Sequence, residues 1–186
     1  MLYALPLGLI VGLLLGGRVA GLGELRFRWP GVFVLGLAIQ VVLFSEPVTQ
    51  RIGNLGPWLY VASTALVLVA VAANARIAGV PIILVGAACN MAAIVANGGF
   101  MPAGGAALEA INRTLGDEYS NSALLPHPAL EPLTDIFAMP AWVPFANIFS
   151  VGDVFIGIGV VVVVAAAMRR GRPGARAHIT EIEQAA

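Results

Sequence analysis

Five long apolar runs divide the sequence, and only the last contains a charged side chain, Asp153. They cover residues 1–17, 29–45, 57–75, 78–96 and 149–168. A hydrocarbon core of about 30 Å takes roughly 20 apolar residues of α-helix, because a helix satisfies its own backbone polar groups where no water can. The chain is therefore expected to be an all-α, polytopic transmembrane bundle of five spans. Its composition points the same way. Hydrophobic residues make up 59% and charged ones 11%, less than half of the roughly 25% charge that solvates a soluble domain. The first run lacks a positive leader and an Ala-x-Ala-like cleavage site and leads straight into Arg18, so it is expected to be a retained helix rather than a signal peptide. Pro81 stands near the start of the fourth run, where a missing N–H does little harm, while Pro6 lies inside the first and marks a frayed or kinked start.

All ten basic residues are arginine, and ten acids balance them. No basic field is left to attract nucleic acid. Arg18, Arg26, Arg28, Arg76, Arg169, Arg170, Arg172 and Arg176 fall in alternate connections and the tail, whereas Arg51 and Arg113 fall on the other side. That bias places the N-terminus outside and the C-terminus in the cytoplasm of a cell-membrane protein. Trp29, Trp58 and Trp142 stand at the edges of spans, where interfacial rings belong. Residues 1–168 are expected to form a single membrane domain, and residues 169–186 a disordered cytoplasmic tail. A lone Cys89 allows no internal disulfide, and His127 and His178 cannot build a zinc site without carboxylate help. Neither a metal nor a cofactor is expected.

Between the fourth and fifth runs lies a long segment, 97–148, which is expected on the external face. It carries Glu109, Asp117, Glu118, Glu131 and Asp135 against Arg113 alone. Leu108, Ile111 and Leu115 recur at helical spacing, which predicts a short amphipathic helix on the membrane surface. Within the spans, Gln40, Ser63, Thr64 and Asn90 are candidates for interhelical hydrogen bonds, and Gly8, Gly12 and Gly16 form a small-xxx-small stripe for helix packing.

The sharpest constellation is a pair of carboxylates that bracket the return of this segment to the membrane. Asp135 sits in Leu133-Thr134-Asp135-Ile136-Phe137, and Asp153 closes Ser150-Val151-Gly152-Asp153. Between them runs Trp142-Val143-Pro144-Phe145-Ala146-Asn147. Locally, Ser150-x-x-Asp153 resembles a helix capping box with Asp in place of Glu, and Asp135 is expected as a solvated loop acid. If the two acids meet, they cannot both ionise freely. One proton is then shared, and the pair can activate a water with one member and protonate a leaving amine with the other.

At these residues the sequence resembles signal peptidase II, the aspartic peptidase that removes signal peptides from bacterial lipoproteins. The resemblance implies a catalytic pair of Asp135 and Asp153, with Asn54, Asn97, Asn147 and Ser150 as substrate-orienting residues, and maps the family's four helices onto spans two to five. Asn54-Leu55-Gly56 falls where that family has an Asn-x-Gly motif. Ser150 stands where the family has asparagine, and Phe100 stands where its Asn-x-x-Asp-Arg motif has aspartate. Asn97-Gly98-Gly99-Phe100-Met101-Pro102 together with Ser150-Val151-Gly152-Asp153 also resembles a group of uncharacterised bacterial integral membrane proteins.

Three functional expectations follow. The first is a non-enzymatic binding or scaffold role in the lipid bilayer, with the external segment contacting a membrane partner protein or lipid headgroups. The second is an aspartic intramembrane hydrolase acting on a lipid-modified peptide through Asp135 and Asp153. The third is a small transporter or channel subunit built on Gln40, Asn90 and the Gly8/Gly12/Gly16 stripe.

Overall fold

The computed structural model describes residues 2–114 and 121–170. Among the described residues seven α-helices carry the fold: α1 (Ala4–Leu14), α2 (Pro30–Leu43), α3 (Glu46–Ile52), α4 (Gly56–Ala72), α5 (Val80–Ala96), α6 (Gly105–Ala110) and α7 (Val151–Arg170). Each apolar run contains one long helix. Prolines at the first or second helical position open α2, α4 and α5, where a missing N–H leaves nothing unpaired. Gly98 and Gly99, both at positive φ, close α5. Their N–H groups reach the Val95 and Ile94 carbonyls, the paired bonds of a glycine-dependent helix stop.

Two stretches, Glu46–Ala72 and Val151–Arg170, are helical, long enough and apolar enough to cross a membrane, while α1, α2 and α5 are shorter apolar helices. The first run departs most from its expected span. Its helix has 11 residues, about 16 Å at 1.5 Å per residue, and Pro6 lies in its first turn without breaking it.

The long helices pack in the order α2, α4, α5, α7, α1, an arc rather than a closed ring. Its tightest joint is between α5 and α7. A methyl group on Gly152 would meet Asn90 Oδ1 and lie 2.6 Å from the Gly86 carbonyl, and one on Gly159 would lie 2.8 Å from the Gly79 carbonyl. The backbones of the two helices are therefore in direct contact at two levels, two helical turns apart on each helix. The apolar exterior of the arc includes exposed Leu7, Ile10 and Leu13 on α1 and Val34, Leu35 and Val41 on α2.

The chain is mostly helical, and the all-α expectation needs correction between α5 and α7, where the described residues form a small cap with four two-residue strands. Parallel β1 (Met101–Pro102) and β2 (Ser122–Ala123) make one pair, and antiparallel β3 (Phe137–Ala138) and β4 (Ile148–Phe149) make the other. The expected surface helix is also different. Only six residues are helical in α6, and Ala107, Leu108 and Ile111 are buried with Ala103 and Ile148 inside the cap. Its apolar face is spent on the cap's own core. Leu115, Asp117 and Glu118 lie outside the described residues, as does the tail from residue 171, which holds Arg172, Arg176 and His178.

The α5–α7 joint predicts a sharp difference between glycines. Gly152→Ala should lower stability in detergent by about 1–3 kcal/mol, the usual cost of overpacking. Gly31→Ala, which would meet nothing within 4 Å, should be neutral or slightly stabilising. Denaturant or thermal unfolding of the two variants checks this.

Candidate functional site

The cap explains how two acids distant in sequence come to share one site. In the β3–β4 pair Phe137 lies opposite Phe149, and their rings stack at 5.6 Å. That pair begins two residues after Asp135 and ends four before Asp153, so it holds the two segments side by side. The intervening Trp142 and Phe145 stand at the loop's far end, 85% and 82% exposed.

Asp135 is held by its backbone. Its N–H donates to the Pro102 carbonyl at 3.0 Å, and its carbonyl accepts from Gly104 N–H at 3.0 Å, extending the β1 edge by a bridge to Ala103. The preceding residue, Thr134, is 1% exposed and donates its hydroxyl to Glu131 O. The Asp135 carboxyl is half-buried rather than solvated as expected from sequence. Its Oδ1 is buried with no hydrogen-bond partner, a costly state for a charged oxygen. Burial, reinforced by the Asp153 charge, pushes the Asp135 carboxyl up to about 7.

Asp153 is held by its side chain. Ser150 N–H donates to Asp153 Oδ2 at 3.1 Å, and Asp153 N–H donates to Ser150 Oγ at 3.0 Å, a complete capping box at the start of α7. A third helix residue joins them. Asn90 of α5 donates from Nδ2 to Asp153 Oδ1 at 3.1 Å and accepts the Ser150 hydroxyl at 2.8 Å. The close approach at Gly152 is what lets Asn90 reach.

Both aspartates line one cavity of about 1020 Å³, together with Asn90, Tyr60, Asn121 and Asn147. Tyr60 comes from α4. It is 8% exposed, wedged against Phe44 at 5.5 Å. Sequence reasoning missed Tyr60 because an aromatic one turn into a span reads as an interfacial ring; its hydroxyl inside an apolar run is the signal that marks it. No group of three or more histidine, cysteine, aspartate or glutamate side chains suited to a metal ion occurs among the described residues.

Of the other sequence candidates, Asn147, Gln40 and Thr64 also line the cavity, and the rest do not. Asn147 accepts from Arg113 at 3.3 Å beside the cavity. Asn97 donates to Ala93 O and Ala129 O and accepts from Ala129 N–H, so its amide pins the cap to α5. Asn54 is exposed in the turn Gly53–Leu55, away from the cavity. Gln40 donates to Thr64 at 3.2 Å between α2 and α4, whereas Ser63 and Thr64 also bond back to Tyr60 O within α4. Gly8 and Gly12 face Val164 and Met168 of α7, and Gly16 lies past the end of α1 at φ +71°.

No curated protein and no solved structure matches the chain. The resemblance to signal peptidase II thus rests on the motif residues alone. A family model does match, over residues 24–165, covering α2 through most of α7 and both aspartates. The chain belongs to that family, DUF5317, a family of unknown function.

Proposed function

We propose that this chain crosses the cell membrane five times as one domain, with its N-terminus and cap outside, and that Asp135 and Asp153 form an aspartic hydrolase site at the cap–bundle boundary. The apolar helix exteriors support the membrane placement. So does the gathering of arginines at the bundle end opposite the cap, where Arg18 N–H bonds Met168 O and Arg28 N–H bonds Asn74. Exposed Trp142 and Phe145 suit a loop resting at the membrane interface. The short α1 is matched by local thinning or by its flanking residues.

The hydrolase reading is carried by the asymmetry of the acid pair. Asp153 accepts hydrogen bonds at both oxygens, whereas Asp135 has a buried oxygen with none and retains its proton close to neutrality. That division assigns the roles. Asp153 takes a proton from a water as its oxygen attacks the carbonyl carbon of a peptide bond, while Asp135 gives its proton to the carbonyl oxygen. Collapse of the tetrahedral adduct breaks the C–N bond, the nitrogen leaves with the proton Asp153 took, and the adduct's hydroxyl returns a proton to Asp135. The products are a carboxylic acid and an amine. A membrane peptide, lipid-modified as in the signal peptidase II resemblance, is the substrate class.

A second reading has an observation of its own. The closed Asn90–Ser150–Asp153 network is a sufficient structural reason for Asp153, and it favours a non-enzymatic binding or scaffold role.

Two measurements separate these readings. Purified protein should cleave a member of a panel of lipid-modified and unmodified membrane peptides, and Asp135→Asn and Asp153→Asn should each reduce turnover at least about 100-fold. Turnover unchanged by either variant, or none across the panel, leaves the binding role. The second concerns stability. The folded chain holds a proton on Asp135 up to about pH 7, whereas an ordinary carboxyl loses it near 3.8. Protons bound in excess by the folded state make its stability fall as pH rises through that window. Wild type should therefore lose on the order of a few kcal/mol between pH 4 and 7, and Asp135→Asn should flatten that part of the profile.

A further inference from the structure

The cavity does not stop at the acids. Its walls descend past Leu37 of α2, Val67 of α4, Ile83 of α5 and Val160 of α7 to Asn74 and Arg28 at the opposite end of the bundle. From Tyr60 to Asn74 along α4 this is about 21 Å of helix at 1.5 Å per residue. A compact solute does not need such length, but a single hydrocarbon chain does. The arc supplies the entrance. Among the described residues α2 packs chiefly along α4, and the cavity lining includes Leu5 of α1 and Phe33 of α2, both exposed; the side between these two helices is the entrance assigned here. An apolar cavity open sideways to a bilayer is bathed in lipid chains rather than water.

The lower end adds charge. Arg28 is fixed by a reciprocal pair of bonds, its N–H donating to Asn74 Oδ1 at 2.7 Å and its carbonyl accepting from Asn74 Nδ2 at 3.0 Å. Asn74 is itself 8% exposed and anchored to Ala70 O. The backbone of Arg28 is thus held at the cavity end, while its guanidinium makes no hydrogen bond or ion pair among the described residues. Arg28 is exposed where it lines the end of the slot, and a planar cation within reach of an apolar slot matches a phosphate carrying a hydrocarbon chain.

We propose that the cavity holds one chain of an anionic phospholipid whose phosphate lies against the Arg28 guanidinium. The lipid comes from the leaflet on the arginine-rich side and keeps the slot below the acid pair filled and dry. This rests on the membrane placement of the helices and not on the chemistry of Asp135 and Asp153, so it stands or falls separately from hydrolysis.

Native mass spectrometry of the full chain in mild detergent tests it by titration with phosphatidylglycerol, phosphatidylcholine of the same chains, and glycerol 3-phosphate. One phosphatidylglycerol should bind at least about tenfold more tightly than phosphatidylcholine, with glycerol 3-phosphate not binding. Arg28→Gln keeps the backbone bonds to Asn74 and should weaken phosphatidylglycerol about tenfold, whereas Arg26→Gln should not. Ala87→Trp, which fills the slot, should abolish binding in a chain whose circular dichroism and monodispersity match wild type, and it carries the test if Arg28→Gln does not fold. The proposal is overturned by equal binding of the two lipids, by equal losses in the Arg26 and Arg28 variants, by glycerol 3-phosphate binding as well as phosphatidylglycerol, or by full binding to folded Ala87→Trp.

Discussion

The backbone contact between α5 and α7 is the constraint on which the rest depends. Gly86 and Gly152 leave no room for a Cβ between the helices, and the resulting proximity brings Asn90 within hydrogen-bonding distance of both Ser150 and Asp153. Without it the start of α7 would be capped by local residues alone. With it, a polar cluster is anchored at the end of an apolar bundle, and the cap built on β4 is set at a defined height above that bundle. The cap in turn holds Asp135 by main-chain bonds to Pro102 and Gly104. One acid is thus positioned by helices and the other by a strand edge.

This division accounts for the unequal chemistry of the pair. A helix start offers N–H donors, and Asp153 accepts them. A strand edge satisfies the backbone of Asp135 and does nothing for its carboxyl, which is left half-buried with Oδ1 unpartnered and within the field of Asp153. Two identical side chains thus stand in different surroundings, set by the secondary structure that carries them. Tyr60 of α4 lines the same cavity, so the polar groups around the acids come from distant parts of the sequence.

The helices are legible in the sequence because long uninterrupted apolar runs have few alternatives, and prolines and glycines mark their ends. The capping box is legible too, since Ser150 and Asp153 lie one helical turn apart and need no tertiary information. The convergence of Asp135 and Asp153 on one cavity is not, because it depends on the Phe137–Phe149 pairing, and two-residue strands carry too little alternation to announce themselves. The expected surface helix fails for a related reason. Leu108 and Ile111 do form an apolar face, but periodicity cannot tell a membrane surface from the inside of a small cap. The motif resemblance makes Asn97 and Asn54 ligand-facing, whereas the backbone around Ala129 occupies one and the other stands on an exposed turn.

The central claim is that Asp135 and Asp153 act as a coupled pair in which Asp135 carries the proton. Carbon-13 NMR of protein labelled at aspartate carboxyls, assigned by difference against Asp135→Asn, measures this without any substrate. The account predicts an Asp135 carboxyl that titrates near pH 7 and moves to lower pH when Asp153 is replaced by asparagine. An Asp135 carboxyl that titrates near 3.8, the ordinary value, and is indifferent to Asp153→Asn would contradict it.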